Sequence, residues 1–170
     1  MEPVSAGASS LSAPEPLHDT HDLEQFECGI ANLDDWLKRR ARANQAGGAS
    51  RTYAIASGRR VIGYFCLSSG AIAVIEAPGN IRRNMPDPVA MAVMGRLAID
   101  HLWQGKGIGV ALLQDAVLRA AQAAEIIGIR GILVHAISIE AKAFYEHHGF
   151  VPSSSSPMTL LLSLKGVVAQ

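Results

Sequence analysis

The feature that most constrains this chain's fold is a run of alternating glycines between a long apolar segment and an amphipathic one. Residues Val89–Ile99 are nearly all apolar, which is typical of a strand covered on both faces of a sheet. Gly105, Gly107 and Gly109 follow, and apolar residues then recur at helical spacing from Val110. Glycines allow a ligand to approach the main chain closely, and a helix N-terminus offers unpaired N–H groups to a phosphate. The pattern predicts an α/β domain with a phosphate-binding loop.

The other segments predict further strands and helices around this loop. Asn32 is expected to cap a first helix that ends near Gly47–Gly48, and Pro78–Pro88 is expected to be a long connection. The remaining predicted elements are a hairpin of Arg51–Ser57 and Val61–Val74, a helix from Val110 to near Gly128, a strand Arg130–Ile137, a helix capped by Ser138 and running through His147, and a strand Met158–Leu164.

Length and composition predict one cytoplasmic domain. A chain of 170 residues has room for one core, with predicted boundaries of a flexible leader at 1–16, a folded domain at 17–165 and a tail at 166–170. Met1–Pro16 lacks the basic end and apolar core of a signal peptide, and charged residues interrupt every long apolar stretch, so we expect no membrane contact. Cys28 and Cys66 lie far apart without metal-ligand spacing and are expected to be thiols.

The residues of the loop decide which phosphate ligand it fits. A dinucleotide fingerprint needs glycine where Val110 stands, and a P-loop needs Ser or Thr after Lys106, where Gly107 stands. The loop instead has Gln104, Gly107 and Gly109 in a Gln-x-x-Gly-x-Gly pattern. It resembles the pyrophosphate-binding loop of the GNAT acetyltransferase superfamily. Arg96–Asp100 and Ala141–Phe150 resemble that superfamily's central strand and its final helix.

The resemblance implies the α/β GNAT acyl-CoA N-acyltransferase fold, in which helices flank a mixed central sheet with a splay between two parallel strands. It also implies acetyl-CoA as co-substrate and no metal. The main chain of Leu97, Ala98 and Ile99 would pair with the pantetheine arm. Tyr145 would be the general acid, with the N–H of Ile99 a candidate for polarising the thioester carbonyl. The pyrophosphate would be held by the seven consecutive residues Gln104, Gly105, Lys106, Gly107, Ile108, Gly109 and Val110.

The chemistry of thioester aminolysis is consistent with these roles. A phenol with a pKa of about 10 is protonated at neutral pH and can donate to the departing sulfur. The sequence does not identify a base, although Glu76 and Asp100 remain open. His147 and His148 are adjacent, so on a helix they point apart and make a poor metal pair. An α-amine with a pKa of about 7.7–8.0 is partly neutral at pH 7, so the absence of a clear base favours an α-amine substrate.

Charge is strongly segregated although the formal net charge is zero. Met1–Asp35 has eight acidic residues and no Lys or Arg, whereas Trp36–Arg83 has nine basic residues against Glu76 alone. A one-sided basic segment indicates a polyanionic partner. The candidate phosphate contacts are Lys38, Arg39, Arg42, Arg82 and Arg83.

Scattered motifs give a closer resemblance, to the tRNA-acetylating toxins of bacterial toxin–antitoxin modules. They are Phe26–Gly29 with Leu33–Leu37, Gly63–Phe65, Arg82–Pro88 and Gly95–Asp100. This implies acetylation of the aminoacyl group of charged tRNA, which blocks translation. It further implies a homodimer, a ribbon-helix-helix antitoxin, and contact with operator DNA only through the antitoxin complex. Two alternatives stay open: an acetyltransferase acting on a small amine or a protein N-terminus, and a catalytically idle co-repressor domain.

Overall fold

The structure is a computed structural model that describes residues 11–167. Its helices are α1 (Ala31–Arg39), α2 (Ala41–Ala46), α3 (Gly79–Arg82), α4 (Ile108–Ala124) and α5 (Ile139–His147), with short 3-10 helices at Val74–Glu76 and His101–Trp103. Its strands are β1 (Glu15–Pro16), β2 (Arg51–Ser57), β3 (Arg60–Ile72), β4 (Val89–Ile99), β5 (Gly131–His135), β6 (Val151–Pro152) and β7 (Thr159–Ser163). Within the described range the strands form one sheet in the order β1-β2-β3-β4-β5-β7-β6.

The chain divides into two compact units, each with its own cluster of buried side chains. One contains the described residues through Leu67 together with Arg96–Asp115, and the other contains Ser68–Gly95 and the described residues from Ala116 onward. The first cluster gathers apolar side chains of α1, β2, β3 and the segment before α1, among them the fully buried Phe26, Leu37 and Tyr64. The second is made by residues of β3, α3, β4, β5 and β7.

The predicted hairpin and parallel pair are both confirmed. β2 and β3 are antiparallel, with a bulge between Ile55 and Ala56, while β5 and β7 are antiparallel over the whole of β5. β4 and β5 are parallel, and their pairing runs from Met91–Gly131 to Met94–Val134. This pairing stops at Met94, before β4 ends at Ile99. The predicted splay concerns the part of β4 that follows Met94. The splay itself stays a prediction.

The N-terminal prediction needs a correction. A flexible leader was expected through residue 16, and residues 1–10 lie outside the described range. Glu15–Pro16 nevertheless pair with β2 as an edge strand, and Leu11 bridges Ser57. Ser12 exchanges main-chain and side-chain hydrogen bonds with Ala56. The prediction was wrong for residues 11–16 because a segment without apolar periodicity can still pair through its main chain with an open sheet edge.

The first helix also differs from its prediction. It begins at Ala31 with Ile30 in the cap position, so Asn32 is not its cap, and it breaks at Arg40, whose φ of −120° is outside the helical range. Asp34 closes the preceding turn instead, because its Oδ1 accepts a hydrogen bond from the Cys28 N–H at 2.9 Å. By contrast, the Ser138 cap is confirmed, since its hydroxyl accepts from the Ala141 N–H at 3.0 Å.

Candidate active site

The glycine loop has the backbone geometry that its sequence predicts. Gly105 and Gly107 have φ of +78° and +83°, and a Cβ built on either would meet nothing within 4 Å. Positive φ excludes most side chains, and the open space leaves room for a ligand against the main chain. The Ala111 N–H donates to the Gly107 carbonyl at 3.2 Å. The amides of Ile108–Val110 therefore precede the first bond of the helical turn and are available to an anion.

Gln104 has a positioning role that the sequence did not show. Its Nε2 donates to the carbonyls of Cys28 and Ile99, each at 2.9 Å. Both amide protons are thereby used, and the remaining side-chain oxygen is an acceptor that a phosphate would repel. The side chain holds the end of β4 and the Cys28 loop together, so its contribution to a pyrophosphate site is to fix the glycine loop in place.

Asp100 holds the segment that leads into the glycine loop. Its side chain is fully buried. Oδ1 accepts from the Leu102 N–H at 3.0 Å, while Oδ2 accepts from the Glu27 N–H at 3.1 Å and from Arg60 Nη2 at 3.4 Å. A general base must reach the proton that it removes. The sequence left Asp100 open as a base, and its burial behind these donors excludes that role.

Tyr145 lies on α5, where apolar rings surround it. Its ring centroid is 5.4 Å from those of Phe144 and Phe150, and 7% of the residue is exposed. The Phe150 N–H donates to the Tyr145 carbonyl, and Gly149 makes that turn with φ of +94°. Burial raises the pKa of Tyr145 to about 12. The phenol is therefore protonated throughout the physiological range, as a proton donor must be.

Glu76, the other carboxylate left open as a base, is half-buried in the same unit as Tyr145. Its Oε1 accepts a hydrogen bond from the Ser155 hydroxyl at 3.2 Å, and its carbonyl accepts from the Ser153 hydroxyl at 2.8 Å. The side chain keeps acceptor capacity beyond the Ser155 bond. A role as base stays a prediction.

The predicted phosphate contacts divide into exposed and occupied side chains. Lys38 and Arg39 are exposed in the last turn of α1, and Arg82 and Arg83 are exposed at the end of α3. Arg42 is different, because its Nη2 donates to the carbonyls of His18, Asp19 and His21.

This binding ties α2 to the segment that follows β1. The Arg42 Nε is also buried without a partner. We therefore correct the prediction for Arg42 and assign it a structural role, because its Nη2 is held by main-chain carbonyls that lie 21 to 24 residues earlier in the chain, contacts that no local pattern predicts.

A stack of Arg96, Trp36 and Tyr64 was missed by sequence reasoning. Arg96 Cζ lies 4.3 Å from the centroid of the Trp36 ring, and that ring is stacked on Tyr64 at 6.0 Å. The Tyr64 hydroxyl donates to the Leu33 carbonyl at 2.8 Å. A guanidinium over an indole face is attracted by the ring's quadrupole. The stack fixes Arg96 in β4 to α1. Its only signal in the sequence was that Arg96, Trp36 and Tyr64 all belong to the toxin-like motifs.

In the part of the chain that the structure describes, no three His, Cys, Asp or Glu side chains gather in a way that could hold a metal ion. The rings of His147 and His148 are nearly perpendicular, at 88°. Among the described helices, none is both long and apolar enough to cross a bilayer.

Comparison with known proteins identifies the family of this site. Residues 49–152 match the model of the acetyltransferase (GNAT) domain, and this span contains β4, the glycine loop, α4 and Tyr145. The chain therefore belongs to the GNAT acetyltransferases.

The similarity to particular members is specific. The chain is 46% identical over 157 residues to a tRNA-acetylating toxin of Mycobacterium tuberculosis, covering 92% of this chain and 95% of the relative. It also matches AtaT complexed with acetyl-methionyl-tRNAfMet, with 27% identity, a TM-score of 0.85, and coverage of 92% of this chain and 96% of that one. A mutant AtaT bound to the C-terminus of the antitoxin AtaR matches with 26% identity, a TM-score of 0.79, and coverage of 92% and 94%.

Proposed function

We propose that this protein is the toxin of a toxin–antitoxin pair and transfers acetyl from acetyl-CoA to the α-amino group of aminoacyl-tRNA, which blocks translation. The observation that carries the proposal is the 46% identity to a tRNA-acetylating toxin over nearly the full length of both chains. The matched span of 157 residues covers the toxin-like motifs at Gly63–Phe65, Arg82–Pro88 and Gly95–Asp100 as well as the glycine loop.

Each step of the transfer has a candidate group. The main chain of Leu97, Ala98 and Ile99 pairs with the pantetheine arm, and the loop from Gln104 to Val110 holds the pyrophosphate. The positive φ at Gly105 and Gly107 and the unpaired amides at the start of α4 support this assignment. Each amide directed at a phosphate oxygen contributes a charge-assisted hydrogen bond.

The reaction itself is attack by a neutral amine on the thioester carbonyl. The C–N bond forms, the tetrahedral intermediate collapses, and the C–S bond breaks as the nitrogen loses its proton to water, which afterwards returns a proton to the Tyr145 phenolate. Tyr145 protonates the departing sulfur to give the free thiol of CoA. Its raised pKa keeps that proton in place until the thiolate develops.

The tRNA phosphates are held by exposed cations. We assign this role to Lys38, Arg39 and Arg83. Arg82, which the sequence grouped with them, does not line the polar cavity that Arg83 lines, and we assign it no phosphate contact. Attraction of this kind depends on salt, because bound phosphates release their counterions. Few aromatic residues accompany these cations in the sequence, which favours contact with the backbone over stacking on bases.

The same relatives support a proposal for the partners. We propose that the protein is a homodimer in the cytoplasm and that a ribbon-helix-helix antitoxin neutralises it. Operator DNA is reached only through the antitoxin complex. The similar AtaT is solved with the C-terminus of its antitoxin, and the similar KacTA complex is solved with DNA.

The test is transfer of labelled acetyl from acetyl-CoA to three acceptors: aminoacyl-tRNA, the same tRNA after deacylation, and a peptide with a free N-terminus. The proposal predicts label on aminoacyl-tRNA alone. Label on the peptide at a comparable rate would support the alternative of a protein or small-amine acetyltransferase. No transfer to any acceptor, with antitoxin binding intact, would support the idle co-repressor.

A further inference from the structure

A polar cavity in the second unit is not accounted for by the acetyl-CoA loop or by Tyr145. Its volume is about 370 Å³. The lining comes from α3 and the turn after it, from the residue before β5, and from the end of β7: Asn80, Arg83, Asn84, Met85, Arg130, Ser163 and Lys165. Every lining side chain except that of Met85 carries a hydrogen-bond donor.

The charge of this cavity is one-sided. Arg83, Arg130 and Lys165 line it, and no carboxylate does. Within residues 11–167, none of these three cations takes part in an ion pair. Positive side chains that line one cavity without a counter-charge repel one another, and an anion placed among them relieves that repulsion.

The walls of the cavity are built before any ligand binds. Arg130 Nε donates to the Ile81 carbonyl at 3.0 Å, and its Nη2 donates to the Asn80 carbonyl at 3.1 Å. The Arg130 main chain is held on both sides, by the carbonyl of Ala90 and the N–H of Leu164. A guanidinium has five N–H donors, so Arg130 keeps donors for a ligand while it fixes the position of the α3 turn.

The turn that brings Arg83 and Asn84 to the cavity is also specific. Asn84 has φ of +59°, a conformation that favours Gly and Asn. The Met85 N–H donates to the Arg82 carbonyl at 3.1 Å and closes the turn. Arg83 and Asn84 thereby line the cavity, whereas Arg82, one residue earlier, does not. The sequence grouped the two arginines, and the structure separates them.

We propose that this cavity binds a phosphodiester of the RNA backbone, with Arg83, Arg130 and Lys165 as the phosphate ligands. Arginine, lysine, asparagine and serine side chains are common donors to backbone phosphates. The volume falls in the range of about 300–1,000 Å³ typical of small-molecule sites, which leaves space for the sugar beside the phosphate, against Met85. The inference rests on the proposed function in that charged tRNA is the RNA bound, and it adds Arg130 and Lys165 to the residues that recognise it.

The experiment measures binding of a synthetic RNA hairpin with a single-stranded CCA end to the full chain at several salt concentrations. The variants are Arg83→Gln and Lys165→Gln, both at exposed positions, with Arg82→Gln as the matched control. Loss of one phosphate contact lowers the slope of log affinity against log salt by about one, which at roughly 0.1 M salt is a fivefold to tenfold loss of affinity. We expect this for Arg83→Gln and for Lys165→Gln, and a wild-type slope for Arg82→Gln.

Three outcomes would overturn the proposal. One is equal slopes for all three variants. Another is loss of acetyl-CoA affinity in Arg83→Gln or Lys165→Gln, which would assign the cavity to a phosphate of the co-substrate. The third is competition by millimolar inorganic phosphate with no effect of either variant on RNA, which would make it a small-anion site.

The proposed function is judged separately, by acetyl transfer to charged tRNA in the wild-type protein. If that transfer fails while the slopes change as expected, only the proposed function falls. If transfer succeeds while the slopes stay equal, only the cavity assignment falls.

Discussion

Replacing Asp100 with Asn tests whether a buried carboxylate positions the acetyl-CoA loop. Asn keeps one acceptor oxygen, which can stay with the Leu102 N–H. Its amide nitrogen then faces the Glu27 N–H and Arg60 Nη2, both of which donate to Oδ2 in the native protein. The Glu27 N–H is part-buried, so leaving it unpaired is expected to cost at most the roughly 1–3 kcal/mol of a buried donor.

The lost bond to Arg60 adds less than a fully buried pair would, because the Arg60 side chain is 31% exposed. Together we expect unfolding to be easier by about 2–4 kcal/mol. For a chain of this size that lowers the Tm by about 4–16 °C.

The assay is urea and thermal unfolding, with acetyl-CoA affinity measured on the same preparations. Asp19→Asn is the control, because Asp19 is exposed and the same chemical change there is expected to cost less than about 0.5 kcal/mol. Asp100→Asn is also expected to weaken acetyl-CoA binding, since the lost bond holds Glu27, the neighbour of Cys28, whose carbonyl accepts a hydrogen bond from Gln104. A loss of stability below about 1 kcal/mol in Asp100→Asn would refute this reasoning.

Three further changes test the remaining assignments. Tyr145→Phe keeps the packed ring and should lower kcat by about 10²–10⁴-fold with acetyl-CoA affinity intact. Because the pKa of the Tyr145 phenol is about 12, the wild-type rate should not fall through loss of this proton between pH 7 and 10. Near-normal turnover in the variant, or such a fall in the wild-type rate, would return Tyr145 to a packing role. Gly107→Ala and its control Gly48→Ala place a Cβ at φ of +83° and +80° in open space, so both should lower the free energy of unfolding by about 1–2 kcal/mol. Only Gly107→Ala should also reduce the thermal stabilisation by acetyl-CoA. Equal stabilisation of the two variants would remove Gly107 from the binding site. Arg42→Gln should lower stability by about 1–3 kcal/mol and leave the salt dependence of RNA binding unchanged, and a reduced slope would restore Arg42 as a phosphate contact.

Much of the fold could be predicted because its signals are local. The bounds of β4 coincide with the apolar run Val89–Ile99, and the turn at Gly58 separates the two strands of the hairpin. The glycine loop was predictable for the same reason, since positive φ at Gly105 and Gly107 is a property of single residues.

What the sequence concealed depends on residues that are far apart along the chain. Arg42 reads as one more cation until the carbonyls of His18 and His21 are placed beside it. The break at Arg40 has no glycine or proline to mark it, and the cavity gathers α3, Arg130 and the end of β7. Contacts of this kind are set by tertiary packing, which periodicity and spacing do not encode.

The position of the transferred acetyl group tests the central claim most directly. Aminoacyl-tRNA would be incubated with the protein and acetyl-CoA, then digested with nuclease, and the terminal nucleoside analysed by mass spectrometry beside a Tyr145→Phe reaction. The account predicts aminoacyl-adenosine heavier by one acetyl group on its α-amine, strongly reduced with the variant, and no acetylated nucleoside from deacylated tRNA. Acetyl on a nucleobase, or equal acetylation of deacylated tRNA, would contradict it.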